Sequence, residues 1–266
     1  MARDDRPQVL VRFADGLRFL LPSRHRSAEV RVDRDPTATL GHLVQSTGVP
    51  LTEVGGLLAD GCPVGPGHRP GPGQTADVLP VERPQRLPAS PPRFLLDVHL
   101  GALARRLRLV GVDTAYGNDL DDDTLVAMAN RQRRALLTQD RRLLHRRALE
   151  AAAFVRGHGP DDQLRDVLDR FAPPLAPWSR CTACNGPLVP ATKEAVEHLL
   201  EPGTRRTYAD FARCRECGRV YWPGAHHARL AAIVETAREA VAGAGGRDVG
   251  RSAPAGGGAA RRSARP

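Results

Sequence analysis

The stretch Phe94-Leu95-Leu96-Asp97 is a short apolar run that ends in a carboxylate. A run of this length is typical of a buried strand. The apolar residues that follow it recur at helical spacing, at Leu100, Leu103, Leu107 and Val110. Gly111 comes next and suits the C-cap of that helix. The segment therefore predicts a strand followed by a helix.

The same alternation continues to Phe171. Further strands are predicted at 113–116, 135–138 and 153–155. Further helices are predicted from Asp121-Asp122-Asp123-Thr124, over 141–150, and from Asp161 or Asp162. Alternating strands and helices favour an α/β fold, with a parallel sheet covered by helices on both faces.

Acidic residues follow three of these predicted strands. Asp97 closes the first strand, Asp119 and the run Asp121–Asp123 follow the second, and Asp140 follows the third. In parallel α/β sheets, sites form at the carboxyl ends of strands, so we expect these carboxylates to converge on one pocket. Hard oxygen ligands select Mg²⁺ or Mn²⁺, which promote phosphodiester hydrolysis. The candidate catalytic residues are Asp97, Asp119, Asp122, Asp123 and Asp140.

Helix capping is the alternative explanation for several of these acids. Asp is a preferred N-cap, so Asp122 or Asp123 could cap one helix and Asp140 another. Asp97 is harder to explain in that way, because a buried carboxylate without a partner is costly.

Two C-x-x-C pairs are the most specific motif of the chain. Cys181 and Cys184 form the first pair, and Cys214 and Cys217 form the second. Four thiolates make a closed tetrahedral site that suits structural Zn²⁺. We expect His226 and His227 to have surface or packing roles, since four ligands are already present. Thiols used in this way also favour a reducing, cytoplasmic location over a disulfide framework.

The motifs from 93 to about 230 resemble the RNase domain found at the C-terminus of the MUT-seven type exonuclease. The resemblance is carried by Phe94–Asp97, Leu100-Gly101, Leu103–Arg105, the stretch Leu136–Arg141 and the cysteine pairs. Family members often have Thr-Arg-Asp where this chain has Thr138-Gln139-Asp140. The resemblance implies a PIN-like nuclease that cleaves single-stranded RNA with a divalent metal. By position, it implies that Asp97, Asp122 and Asp140 are its acidic sites.

Residues 8–82 are predicted to form a separate front domain. Val9, Val11 and Phe13 alternate, and Asp15-Gly16 suggests a hairpin turn before Leu17 and Phe19. A strand at 30–32, a helix capped by Thr39 and two further strands follow. The order resembles the ubiquitin-like β-grasp. The domain runs into a proline-rich linker at 83–92 instead of a Gly-Gly tail, so we expect a packing or protein-binding role and not conjugation.

The predicted domains are thus the β-grasp at 8–82, the nuclease at 93–172 and a zinc ribbon with its helix at 178–240. A Gly-, Ala- and Arg-rich stretch at 243–266 is predicted to be a disordered basic tail. No apolar run approaches the length of a membrane span, so we expect a soluble protein with no membrane partner.

RNA is the expected partner of the nuclease domain. Net charge is +9, but lysine is nearly absent, which suggests coding bias, and part of the charge lies in the tail. Net charge alone is therefore weak support. Arg105, Arg106 and Arg141 lie near the acids and are the candidate phosphate-binding residues. Aromatic residues are not interleaved with them, so base stacking is not indicated.

Three alternatives to an RNA-cleaving enzyme remain open. The chain could be a non-catalytic RNA-binding protein on a degenerate nuclease fold. It could cleave DNA. It could also be an adaptor that acts through the ubiquitin-like domain.

Overall fold

The computed structural model describes residues 8–25, 29–33 and 35–249. The backbone of 245–249 is included, but not the side chains. The described residues form three sheets, each with its own helices. The fold is therefore mixed α/β, as predicted.

The front domain is a five-stranded sheet with one α-helix. Its strands are β1 (Gln8–Phe13), β2 (Glu29–Asp33), β3 (Val54–Ala59), β4 (Cys62–Val64) and β5 (Thr75–Pro80). They are ordered β2-β1-β5-β3-β4, and β1 pairs in parallel with β5 at the centre. Helix α1 (Leu40–Ser46) begins after Thr39, whose side chain accepts a hydrogen bond from the His42 amide. This confirms the predicted cap.

The predicted hairpin turn at Asp15-Gly16 is wrong. Residues Asp15–Leu20 form a 3-10 helix, and β1 pairs instead with β2. Leu17 and Leu20 are both buried, and their spacing of three residues matches one 3-10 turn. The 3-10 helix buries these leucines, so no second strand is needed to bring them into the core.

The central domain has a four-stranded, wholly parallel sheet. Its strands are β6 (Phe94–Leu96), β7 (Thr114–Tyr116), β8 (Ala135–Thr138) and β9 (Ala152–Phe154), ordered β7-β6-β8-β9. Its helices are α2 (Gly101–Leu109), α3 (Asp122–Gln132), α4 (Arg141–Leu144) and α5 (Pro160–Phe171). Strand order reverses between β6 and β8, which makes the cleft between their carboxyl ends the expected ligand position.

Both faces of this sheet are buried. Phe94 and Leu96 of β6 pack in one cluster with residues of α2 and α5. Leu95 points to the opposite face and packs with residues of α3 and α4. Because side chains alternate along a strand, a run of three apolar residues contributes to the apolar clusters on both faces of the sheet.

Two helices of this domain differ from the prediction. Helix α4 ends at Leu144, far short of residue 150. Helix α5 begins at Pro160, after Gly159, so neither Asp161 nor Asp162 is its cap. Proline suits the first turn because the amide it lacks has no partner there anyway. The two aspartates lie in that first turn instead.

The ribbon is a small antiparallel sheet. It contains β10 (Leu188–Ala191), β11 (Phe211–Cys214) and β12 (Val220–Tyr221), in that order. Between β10 and β11 lie α6 (Lys193–Val196), a 3-10 turn and α7 (Pro202–Thr207). Helix α7, like α5, has proline in its first turn.

The last helix, α8 (His227–Val249), extends into the predicted tail. Its apolar residues Val234 and Ala237 are buried against the cluster that contains α2 and α5. The prediction of disorder from Gly243 is wrong as far as Val249: the helix continues through a glycine-rich stretch that propensity disfavours, and Ala244 is buried. The remainder of the predicted tail, residues 250–266, lies outside the described residues.

The front domain packs tightly on the nuclease domain. Glu53 and Arg170 form an ion pair of 2.8 Å in which each side chain is only 1% exposed. Glu53 also accepts a hydrogen bond from the Phe154 amide at the end of β9. Phe19 meets the Phe154 ring at 5.5 Å between centroids. The linker at 83–92 is docked as well, since Arg83 pairs with Asp166 and Asp169 of α5.

In the part of the chain that the structure describes, no helix combines the length and the apolar character needed to cross a bilayer.

Candidate active site

Asp97 lies at the carboxyl end of β6, directly before a 3-10 turn at Val98–Leu100. It is 5% exposed, and both of its carboxylate oxygens accept hydrogen bonds. Oδ1 accepts from the Val98 amide at 2.6 Å, and Oδ2 accepts from the Thr138 hydroxyl at 2.6 Å. These bonds stabilise the buried acid and hold it in one orientation.

Thr138, the last residue of β8, connects the two strand ends. Its hydroxyl donates to Asp97 and accepts from the Asp140 amide at 2.8 Å. Asp140 is exposed, and its Oδ1 accepts from the Arg142 amide at 2.7 Å, which caps α4. The capping alternative for Asp140 is therefore confirmed, although an acid that caps a helix can also bind a cation.

Sequence reasoning missed Thr138 as a site residue. It was assigned to a strand, and its hydroxyl was given no role. The signal in the sequence is its position, at the end of an apolar strand and two residues before an acid. Its complete burial becomes visible only when β6 and β8 are placed side by side.

The loop after β7 presents the other acids at the same edge of the sheet. Asp121 is the N-cap of α3, because it accepts from both the amide and the hydroxyl of Thr124. These hydrogen bonds lower the pKa of Asp121. Asp123 pairs with Arg146, whereas Asp119 and Asp122 are exposed. The prediction that Asp122 or Asp123 caps the helix is therefore off by one or two residues.

The acids do not converge as tightly as expected. Within residues 8–25, 29–33 and 35–249, the four cysteines are the one group of three or more His, Cys, Asp or Glu side chains with closely spaced ligand atoms. The structure brings Asp97 and Asp140 together through Thr138. It places Asp119, Asp122 and Asp123 on the adjacent loop and helix start, and not in the same tight cluster.

The three candidate RNA-binding arginines differ in availability. Arg105 is exposed on α2. Arg106 pairs with Asp161 at 2.8 Å. Arg141 donates to the carbonyls of Phe19 and Leu20 in the front domain, at 2.9 and 3.0 Å. Its guanidinium is used between domains, so Arg105 is the best placed of the three to meet a phosphate.

The four cysteine sulfurs form a compact cluster. Every ligand atom lies within 4.8 Å of the others, and Cys184 and Cys214 approach to 3.4 Å. Gly186 donates its amide to the Cys184 sulfur at 3.4 Å. A Cβ on Gly186 would lie 2.9 Å from the Cys214 sulfur, so glycine is needed for this close approach. The cluster could hold a metal ion without His226 or His227.

The thiols influence one another's ionisation. Burial raises the pKa of Cys181, but hydrogen bonds from Tyr221 and from backbone amides outweigh it and bring the pKa to about 6. Burial and the neighbouring thiols raise the pKa of Cys184 to about 12. The opposite directions of these two shifts follow from the close approach of the sulfurs, because a thiolate at one cysteine disfavours a second beside it.

The ribbon is attached to the parallel sheet through one buried and one partly buried polar group. Arg108 of α2 is only 3% exposed. It donates to the carbonyl of Thr114 on β7 and to those of Thr182 and Ala183 in the first cysteine turn. Asp113 binds Asn185 and Arg134, which overcome its burial and lower its pKa.

The structure defines a class: a parallel α/β domain with acidic residues after the carboxyl ends of its strands, joined to a ribbon with four clustered cysteines. The profile of the Mut7-C RNAse domain matches residues 92–234, and that of the Mut7-C ubiquitin domain matches residues 6–86. The first match spans more than half of the chain. The chain therefore belongs to the Mut7-C RNAse domain family, with a ubiquitin-like domain in front, as predicted.

Other comparisons add little. No curated protein matches the chain. The crystal structure of SAMP1 from Haloferax volcanii is 21% identical, covers 27% of this chain and 93% of that chain, and gives a TM-score of 0.23. A similarity this low does not indicate a shared function.

Proposed function

We propose that this protein is a divalent-metal ribonuclease that cleaves single-stranded RNA. The observation that carries the proposal is the unit Asp97–Thr138–Asp140 at the point where strand order reverses. Thr138 links the buried Asp97 carboxylate to the backbone amide of Asp140, and both acids follow strands that end at the expected ligand position of an RNase-family domain.

The donor set fits Mg²⁺ or Mn²⁺. Mg²⁺ keeps several waters and is held by only one or two carboxylates plus substrate phosphates. Asp97 and Asp140 would be those carboxylates, and Asp119 and Asp122, on the loop and helix start that follow β7, would be secondary candidates. When bound, the ion would neutralise charge on the phosphate and lower the pKa of a coordinated water.

The chain's own residues have distinct tasks in this proposal. The hydroxyl of Thr138 fixes the orientation of the Asp97 carboxylate before substrate arrives. Arg105 would bind a phosphate of the strand. Asp123 is engaged by Arg146, so its contribution to the site would be indirect.

We further propose that the cysteine cluster holds structural Zn²⁺, since four thiolates leave no open position for substrate. Such a site requires reduced thiols and is consistent with a cytoplasmic location. A protein partner of the ubiquitin-like domain would have to use the surface that the nuclease domain leaves uncovered.

The test is RNA cleavage by purified protein with Mg²⁺ or Mn²⁺. Asp97→Asn and Asp140→Asn should each reduce turnover by at least two orders of magnitude while the fold is retained. Asp162→Asn is the matched control, because Asp162 is exposed on α5 and pairs only with Arg165 on the surface. Unchanged turnover in both site variants would refute the proposal.

The second candidate is a non-catalytic RNA-binding protein on the same fold. It is favoured by one observation, that both oxygens of Asp97 are already hydrogen-bonded. This candidate predicts RNA binding that is unchanged or improved by Asp97→Asn, with no turnover at any metal concentration. Matched RNA and DNA strands in competition would separate an RNase from a DNase in the same assay.

A further inference from the structure

A cavity of about 640 Å³ lies where the ribbon, the start of α8 and the end of α2 meet. Its walls include both tryptophans of the chain, Trp178 and Trp222, together with Tyr221 and Phe211. Only 4% of the residues are aromatic. The fold has therefore gathered scarce aromatic side chains from distant parts of the sequence into one concave surface.

The aromatic side chains are arranged for stacking. Trp178 and the His227 ring lie nearly parallel, with centroids 5.1 Å apart and an angle of 26° between their planes. Trp178 is 39% exposed and Trp222 is 41% exposed, so both rings present an open face. Aromatic rings that serve only as core would be buried.

The backbone holds Trp178 in an unusual conformation. Its φ is +65°, which is uncommon for a bulky residue. Its amide donates to the carbonyl of Leu109 at 3.0 Å, which fixes the residue against the end of α2. The main chain at Trp178 is thus anchored to the end of α2.

The segment that forms the cavity is modestly basic. His226, His227 and Asp210 line the cavity together with Arg180, whose guanidinium is already engaged by Asp113 and by the Gly111 and Asn185 carbonyls. Between Trp178 and Leu230 there are eight Lys and Arg residues and five Asp and Glu residues. Flat apolar faces beside basic side chains match single-stranded nucleic acid, in which bases stack and phosphates are neutralised.

We propose that this cavity binds unpaired bases of the RNA strand, as a subsite distinct from the acidic edge. The inference rests on the proposed ribonuclease function, which it extends by naming how substrate is held. Helix α2 separates the two places, and its nine residues span about 13 Å. A strand bound here would reach the Asp97 edge after a few nucleotides.

Intrinsic fluorescence gives a direct test, because both tryptophans line the cavity. The full chain is titrated with a ten-nucleotide oligo(A) in zinc-containing buffer without magnesium. The expected result is saturable quenching of tryptophan emission. An abasic ribose-phosphate oligomer of the same length and charge should bind more weakly and cause little quenching, because it has no base to stack.

Variants are compared by anisotropy of a dye-labelled oligo(A). Trp222→Ala should raise the Kd roughly 5- to 150-fold, the range expected for loss of one stacked base. Trp222→Phe should restore most of the affinity. Leu79→Ala is the matched control, because Leu79 is an equally exposed apolar residue on the ubiquitin-like domain.

Hydrolysis separates this inference from the proposed function. With magnesium, Trp222→Ala should raise KM for a long RNA and leave kcat within about twofold.

If the native protein cleaves RNA but oligo(A) leaves the emission unchanged, or the abasic oligomer binds equally well, the subsite is refuted. Emission that instead changes with protein concentration would show a second copy in the cavity and would also refute it. If no RNA is cleaved at all, the ribonuclease proposal fails, whatever the emission shows.

Discussion

Thr138 has two hydrogen-bonding tasks that no other side chain type performs equally well. It donates to the buried Asp97 carboxylate and accepts from the Asp140 amide. Valine has the same shape without the hydroxyl. Thr138→Val should therefore reduce the free energy of unfolding by about 1–3 kcal/mol, because a buried carboxylate oxygen loses its partner. Urea denaturation measures this effect.

Thr138→Ser provides the control for that prediction. Serine keeps the hydroxyl, so its stability and RNA cleavage should stay much closer to the native values than those of the valine variant. If valine and serine destabilise the protein equally, packing of the methyl group, and not the hydrogen bond, is what matters at this position.

At the residue scale, sequence patterns predicted which acids follow strands but not their partners. Asp97 could be predicted because an acid at the end of an apolar run is conspicuous. The engagement of Arg141 by the Phe19 and Leu20 carbonyls could not, because it joins residues about 120 positions apart in different domains. Periodicity carries no information about such contacts.

The ribbon is the element whose stability depends most on a bound ion. Its own apolar cluster has only three fully buried residues, Val196, Leu200 and Phe211. Binding free energy at a cysteine site is folding free energy for so small a unit. Metal removal by a chelator should therefore abolish hydrogen-exchange protection of amides in β10 and β11.

The central strands serve as the internal control in that experiment. Amides of β6 and β8 lie in a sheet that is buried on both faces, and they should keep protection well above that of the ribbon. Unchanged protection in β10 and β11 after complete metal removal would contradict a structural role for the ion.

Elements with strong periodicity were predicted well, and short ones were not. Helix α2 and the parallel strands follow directly from apolar spacing. Helix α4 was predicted too long, since Leu143 and Leu144 satisfy the core and a turn follows. The 3-10 helix at Asp15–Leu20 was read as a strand pair because Asp-Gly is also a hairpin signal. Local signals of this kind are decided by tertiary packing.

For the whole molecule, the buried pair Glu53–Arg170 couples the front domain to the nuclease domain. Removing one partner leaves an unpaired buried charge, which costs about 3–5 kcal/mol. Glu53→Gln should therefore lower stability substantially and split a single calorimetric transition into two. Arg18→Ala, which breaks the exposed Asp15 pair and a 3.4 Å hydrogen bond to the Phe13 carbonyl within the front domain, should leave one transition.

Combining Glu53→Gln with Arg170→Met tests the reason for that loss. The double variant should be more stable than Glu53→Gln alone, because no charge is left without a partner. Additive losses would show that the two side chains act independently. Such point variants are cleaner than deletion of residues 1–90, which would also expose Phe154.

Arg108 links the first cysteine turn to β7 through one guanidinium. Thermodynamic coupling of two sites is reciprocal, so if the Arg108 bonds couple β7 to the proposed zinc site, a change that breaks them at β7 should weaken retention of the ion. Destabilisation of the parallel sheet would then be detected as release of the metal ion. A colourimetric assay for the released ion would report the stability of a sheet that contains none of the ligands.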